Sequence, residues 1–345
     1  MSLAPSPSKR SRRGSGAVTL HEVAQRAGVA PITASRALNS PERVSPEVLQ
    51  RVTEAVQSLG YVPNRLAGGL ASTRSRLVAA LVPTMAGPVF LQTVQSLTQA
   101  LAEQGYQLML GQTGYSDPQT GEDRMLEALI GRRPDGIVLT GTLHSAQARQ
   151  RLQAAAIPVV ETWDLSERPI DMLVGFSHEG VGRAVADFFV AKGFRQWAMV
   201  AGDDPRSLRR QQAFAEAAVA AGLPPVVTVS VPAPTHLKSG RQALRQLLQH
   251  QPDVDAVFCS SDLLALGVLT EARAQGRAVP DRLAVMGFGD LDFAADLEPA
   301  LSTVQIDGAA MGRQAAHFII SRVEGRVPPC SVVDIGFRLV ERAST

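Results

Sequence analysis

The feature that most narrows what this chain can fold into is a rhythm. From about residue 77 onward, short apolar runs alternate with helix-patterned stretches. The runs are LVAALV, YQLMLG, DGIVLTG and PVVETW, then QWAMVAG, VVTVSV, DAVFCSS and LAVMGF. Short apolar runs bounded by turns fit strands buried on both faces. Between them, residues 91–104, 122–131, 179–192, 208–221, 237–250 and 263–275 read as helices. Strand and helix in alternation predict an α/β fold with parallel sheets and right-handed crossovers. The series divides into two similar halves, so residues 77–345 are expected to form two lobes in sequence. Their strands then meet at their carboxyl ends, and a crevice there is open to a ligand touching both lobes.

The first 76 residues read differently. Residues 1–16, MSLAPSPSKRSRRGSG, have almost nothing to bury and predict a disordered basic tail. Residues 17–62 predict three short helices. Thr19-Leu20-His21-Glu22 is a capping box, with Leu20, Val23, Ala24 and Ala27 on one face and Gly28 as the stop. Pro31 sits where its missing N–H costs nothing, and Ile32 to Leu38 complete a second helix. Ser45 is the expected cap of a third, which Gly60 ends. The tight Gly28-Val29-Ala30 turn makes the first pair a helix-turn-helix.

Charge separates the same segments. Residues 1–75 carry ten basic and four acidic side chains, an excess of six, whereas the remainder carries 24 and 28. A basic module on a mildly acidic body predicts contact with a polyanion. A helix laid into the DNA major groove presents its first residues to base edges. Here Pro31 and Ile32 offer only apolar contact, while Arg36 suits guanine O6 and N7. Thr33, Ser35 and the helix start suit phosphates. Residues 63–76 are the expected hinge helix and linker. Asn64 is a candidate cap, and Gly68 and Gly69 each weaken a helix by roughly 1 kcal/mol. Leu70 has no local core, so it is read as a wedge between base steps on a segment that orders on DNA. A flexible linker is the alternative.

VTLHEVAQRAGVAPITASRALN, followed by VSPEV and LGYVPNRLAGGLA, resembles the lactose-repressor family of bacterial regulators from about residue 18 to 342. The resemblance implies a recognition helix over Pro31–Leu38, with Pro31, Ile32 and Arg36 as base readers. It implies hinge roles for Ala67 and Leu70, and a periplasmic-binding-protein-like sensor behind them. It further implies a homodimer on near-palindromic double-stranded operator DNA, with a small-molecule effector that unpairs the hinges and releases the DNA. Ala30 and Ala34 depart from the family's usual Ser and Val.

The effector site is sought at strand ends. Arg206 and Arg210 open the helix after QWAMVAG, and by the resemblance Arg210 is the sugar-contacting arginine. Guanidinium forks suit carboxylates. Ser261-Asp262 stand where the family has Asn-Asp, and Asp262 is read as a helix cap or a hydroxyl ligand. Sugar-binding relatives carry Asp where this chain has Gly289, and losing that carboxylate beside two arginines favours an acidic ligand. VVETWD, GFSHEG, RSLRRQQAF, VFCSSDLLALG and GFGD look most like gluconate and ketogluconate repressors, which implies a sugar-acid effector. Phe90, Thr140, His144, Glu161, Trp163 and Asp164 are candidate contacts from the other lobe, though a lone histidine such as His144 is more often a surface residue than a ligand contact, and Trp163 reads equally as core.

Gly180-Val181-Gly182 and Gly287-Phe288-Gly289 are too fragmentary for a dinucleotide fingerprint, and no phosphate loop or Ser/His/Asp elbow is present. The expected protein is not an enzyme and needs no cofactor or metal. Two readings stand beside it: a family regulator answering to a neutral sugar or purine, and a sugar-binding or sugar-modifying enzyme with a basic tail. Cys259 and Cys330 make neither a disulfide framework nor a zinc cluster. No apolar run reaches the roughly 18 to 20 residues of a membrane span, no secretory signal precedes the body, and a cytoplasmic location is expected. No heptad tail follows GFRLVERAST, so assembly beyond a dimer is not expected.

Overall fold

The computed structural model describes residues 18–62, 74–85, 87–115 and 118–345. Residues 1–75 and 76–345 form two compact units. The tail over 1–16 and the hinge residues Asn64, Ala67, Gly68, Gly69 and Leu70 lie outside the described residues.

In the first unit, α1 (Leu20–Ala27), α2 (Pro31–Asn39) and α3 (Pro46–Leu59) enclose a small core. The capping box at Thr19 is complete: its backbone N–H donates to Glu22 Oε2 at 2.6 Å, and its hydroxyl accepts from the Glu22 N–H. Gly28 ends α1 in the left-handed region, at φ 63°, which glycine occupies without strain. Ala30 makes no side-chain cap bond, and Pro31 opens α2 in its place. Ser45 occupies the cap position of α3, yet its side chain makes no capping bond and turns to the Glu47 carboxylate instead. Val23, Ala24, Ala27, Ala34, Ala37, Val52 and Ala55 form the core. The alanines there let the helices approach closely, so this core is small.

The second unit contains two six-stranded sheets. The first comprises β1 (Leu77–Val82), β2 (Gln107–Gln112), β3 (Gly136–Thr140), β4 (Val159–Thr162), β5 (Met172–Gly175) and β11 (Val332–Asp334), in the order β11-β5-β4-β3-β1-β2. All its pairings are parallel. The second comprises β6 (Trp197–Gly202), β7 (Val227–Val231), β8 (Ala256–Cys259), β9 (Ala284–Gly289), β10 (Ser302–Gln305) and β12 (Arg338–Val340), in the order β12-β10-β9-β8-β6-β7. It is parallel except at β12, which runs antiparallel to β10. Central strands such as β4 and β8 are buried throughout, as helices on both sheet faces require.

The helices of the first lobe are α4 (Leu91–Glu103), α5 (Pro118–Ile130), α6 (Ala146–Ala155) and α11 (Gly308–Val323). Those of the second are α7 (His178–Lys192), α8 (Pro205–Ala220), α9 (Leu237–His250) and α10 (Asp262–Ala274). The lobes do not follow one another simply, as the rhythm alone predicts. The chain leaves the first lobe after β5, returns after β10 to place α11 against α4, and crosses again between β11 and β12. The strands β5 and β10–β12 are three or four residues long, too short to show a period.

Candidate functional site

A cavity of about 710 Å³, counted to its mouth, opens between the two lobes of the second unit. Its walls come from the carboxyl ends of strands: Thr84 beyond β1, Trp163 beyond β4, Asp204 beyond β6, and Ser260 and Ser261 beyond β8. Phe90, Trp163 and Phe288 form apolar walls, with the Phe90 and Trp163 rings edge to face at 5.1 Å. Trp163 has a φ of 65°, a conformation a bulky residue holds only when its surroundings enforce it. They do: its ring packs on Phe90 and Phe176, and its indole N–H donates to Thr93 Oγ1 at 3.2 Å.

Two guanidinium groups supply the charge. Arg206 and Arg210 lie on α8, whose N-terminus is capped by Asp204 Oδ1 accepting from the Arg206 and Ser207 N–H groups. The helix end therefore carries its own carboxylate. Arg210 is only 4% exposed and lies over the Phe288 ring at 4.0 Å. Its Nη1 donates to His178 Nδ1 at 2.9 Å and its Nη2 to the Ser260 carbonyl at 3.2 Å, while Nε is buried without a partner. Burial pushes its pKa down to about 10. Among the described residues, no carboxylate forms an ion pair with Arg210. Arg206 lies over Phe90 at 5.3 Å, with its Nη1 also buried and unpartnered. Such a cavity can hold an anion by charge and fork geometry, and a carbon skeleton by its aromatic walls.

In the first unit, α2 leaves Pro31, Ile32 and Arg36 exposed, with Ile32 65% accessible. Thr33 and Ser35 are half-buried, and Ala34 and Ala37 face the core. One helix face thus packs while the other presents apolar and cationic groups outward.

Residues 19–64 match the family described as bacterial regulatory proteins, lacI family, and residues 186–345 match the periplasmic binding protein-like domain. The chain is 38% identical to the HTH-type transcriptional regulator GntR of Pseudomonas aeruginosa, covering 97% of this chain and 98% of that one. It is 33% identical to the GntR regulator of Escherichia coli K12, over 93% and 96% of the two chains. A lacI-family transcriptional regulator from Silicibacter pomeroyi superposes with a TM-score of 0.88 at 30% identity, over 95% and 99% of the chains. The chain belongs to the lacI family. It is a DNA-binding transcriptional regulator and not an enzyme. No helix among the described residues is long and apolar enough to cross a membrane.

In this lacI-family regulator the structure gathers some of the candidate effector residues and separates others. Phe90, Trp163, Arg206, Arg210 and Ser261 line the cavity. Asp164 lines a smaller pocket next to it, which shares Tyr115 and Arg206. Both Asp164 oxygens accept from Arg209 Nη1, at 2.8 and 3.0 Å, so an ion pair from α8 spans the lobes there. Asp262 neither caps α10 nor lines the cavity. Ser261 is the cap, accepting from Leu264 N, and Asp262 accepts from Thr303 Oγ1 at 2.6 Å and Leu291 N at 2.8 Å. Burial raises the Asp262 pKa to about 6. Gly289 stands behind the cavity wall at φ 127°, and a Cβ there would come within 3.6 Å of Asp262 Oδ2. The sequence reading missed His178, Tyr115, Thr235, Ser260 and Phe288, all of them cavity residues. His178 escaped because its role depends on the chain crossing between lobes just before α7.

Thr140 ends β3 and, like His144 and Glu161, does not line the cavity; His144 pairs with both Glu122 and Glu161. His144 Nδ1 donates to Glu122 Oε1 at 2.7 Å, and Nε2 donates to the Gly141 carbonyl at 3.1 Å. Glu161 Oε2 accepts from the Ile170 N–H, and its buried Oε1 faces His144 Nε2 at 3.3 Å without a well-aligned bond. Burial alone would lower the His144 pKa, but the two carboxylates outweigh it and raise it to about 9. A raised pKa stabilises the fold fully below the unfolded value near 6.5, and that contribution fades as pH rises through 9. Urea unfolding is expected to lose up to about 3 kcal/mol across that window. His144→Gln should flatten the loss, and an unchanged pH slope in that variant would assign it elsewhere.

Proposed function

We propose that this regulator is a dimeric repressor of sugar-acid metabolism genes, with gluconate or 2-ketogluconate as the effector that releases its operator. The observation that carries the reading is the buried Arg210, which has no carboxylate partner and an open Nε. A buried cation with no carboxylate in contact is costly, and a ligand carboxylate lowers that cost. Arg206 Nη1 offers a second open donor. The hydroxyls of Ser260 and Thr235 and the Asp204 carboxylate lie on the same wall and suit a polyol chain. A Cβ at Gly289 would meet the cavity residues Val89 and Leu291 at 3.6 and 3.7 Å, so glycine there brings no carboxylate to the cavity edge, which favours an acid over a neutral sugar.

On the DNA side, residues 17–62 are the headpiece, with Pro31, Ile32 and Arg36 reading bases and Thr33 and Ser35 meeting phosphates. Thr19 starts the first helix. Residues 63–76 are the hinge, in which Asn64, Ala67 and Leu70 act when operator is bound. Residues 77–345 sense the effector.

The test combines two titrations of the full chain. Calorimetry against gluconate, 2-ketogluconate, glucose, ribose and a purine is expected to show binding of the acids only. Anisotropy of a labelled near-palindromic operator is expected to fall as the same acids are added. Binding of a neutral sugar or purine alone would overturn the sugar-acid reading. Operator retained by the acid-saturated protein would overturn release.

A further inference from the structure

His178 is the first residue of α7, in the second lobe, and its ring is almost wholly buried between the two lobes. Its Nε2 lies 2.9 Å from the Trp163 carbonyl oxygen, which belongs to the first lobe. A carbonyl can only accept, so Nε2 carries a proton and donates. Its Nδ1 lies 2.9 Å from Arg210 Nη1. A guanidinium can only donate, so Nδ1 is unprotonated and accepts. Of the three forms of imidazole, only the neutral Nε2–H tautomer satisfies both neighbours.

We propose that His178 is the positioning residue of the effector cavity: a neutral Nε2–H imidazole that holds Arg210 toward the ligand and ties it to the backbone of the opposite lobe. The inference rests on the acid-binding reading of the cavity and adds the group that orients its key cation.

The surroundings agree from every side. Arg206, Arg209 and Arg210, all on α8, face the ring, and burial together with these charges holds its pKa well below the ordinary histidine value. No carboxylate touches the ring among the described residues. Glu179, next in the chain, turns instead to the Ser177 hydroxyl at 3.3 Å and toward Arg209 at 3.9 Å. The Phe176 ring packs against the imidazole at 4.7 Å. With Nη1 on His178 and Nη2 on the Ser260 carbonyl, the Arg210 plane is fixed over Phe288 and its Nε edge is left for a ligand. The run Trp163 carbonyl, His178, Arg210 is then a direct line from one lobe to the effector's charged end.

Two substitutions separate the two bonds. In His178→Asn, the short amide keeps an acceptor near the place of Nδ1 and loses the reach to Trp163. In His178→Gln, the longer amide keeps a donor near the place of Nε2 and loses the acceptor for Arg210. Calorimetry of the full chain with sodium gluconate is expected to show H178N within about threefold of the unsubstituted protein and H178Q weakened by about tenfold or more. Melting curves check that both variants fold. In parallel, imidazole ¹⁵N spectra should show unprotonated Nδ1 and protonated Nε2 for His178 throughout about pH 5.5 to 8. Equal gluconate affinity in the two variants would overturn the proposal, as would an Nδ1–H tautomer or titration of the ring in that range. If the unsubstituted protein binds neither gluconate nor 2-ketogluconate, the sugar-acid reading falls. The ¹⁵N spectrum then still decides whether His178 holds Arg210 in the form described.

Discussion

Arg210→Met is expected to yield a regulator that holds its operator but no longer answers to the acid. Methionine keeps an unbranched apolar stem over Phe288 and removes every donor of the fork. Removing a charge-assisted hydrogen bond from a buried site costs about 3 kcal/mol. That corresponds to roughly a hundredfold weaker effector binding. Pro31, Ile32 and Arg36, the residues proposed to read bases, belong to the other compact unit, so operator affinity without effector should persist. Arg210→Lys should recover only part of the effect, since an ammonium keeps the charge but not the planar fork. Effector calorimetry and operator anisotropy on the same preparations check both statements. A methionine variant that still released operator at the usual gluconate concentration would remove Arg210 from the centre of the site.

The second large effect is steric. Helices α7 and α8 pack so tightly that a Cβ on Gly182 would stand 2.4 Å from the Arg210 carbonyl oxygen and 2.9 Å from the Phe214 nitrogen. Both are backbone atoms, so no side chain can swing aside, and the helices must part. Gly182→Ala is expected to cost about 3 kcal/mol. For a unit of this size the melting temperature should fall by roughly 6 to 12 °C. The same displacement moves His178 and Arg210 relative to one another, so gluconate affinity should drop alongside stability. A variant that melts like the parent would show that the two helices separate without resistance.

The α/β character of the body was legible because its eight long apolar runs are bounded by turns and separated by helical spacing. The headpiece was legible because its caps are local: Thr19 with Glu22, Gly28 and Pro31 each act within a few residues. What escaped depended on distance along the chain. The strand STVQ (β10) is polar at three of its four positions, and β11 and β12 have three residues each, so tertiary pairing rather than pattern makes them strands. At the site, Arg206 and Arg210 were visible as cations at a helix start after a strand. His144 and Glu161 looked equally available, yet they neutralise one another away from the cavity, and no sequence spacing shows which polar residues are already paired. His178 is the converse, a residue without an obvious chemical signature until the fold places a carbonyl on one side and a guanidinium on the other.

The last crossing has a cost for how the protein is made. Because β11 completes one sheet and β12 the other, both edges stay open until synthesis has passed Val332–Asp334 and then Arg338–Val340. An early stop near residue 330 would leave Met172–Gly175 and Ser302–Gln305 as open borders in the same molecule, each free to recruit a foreign strand.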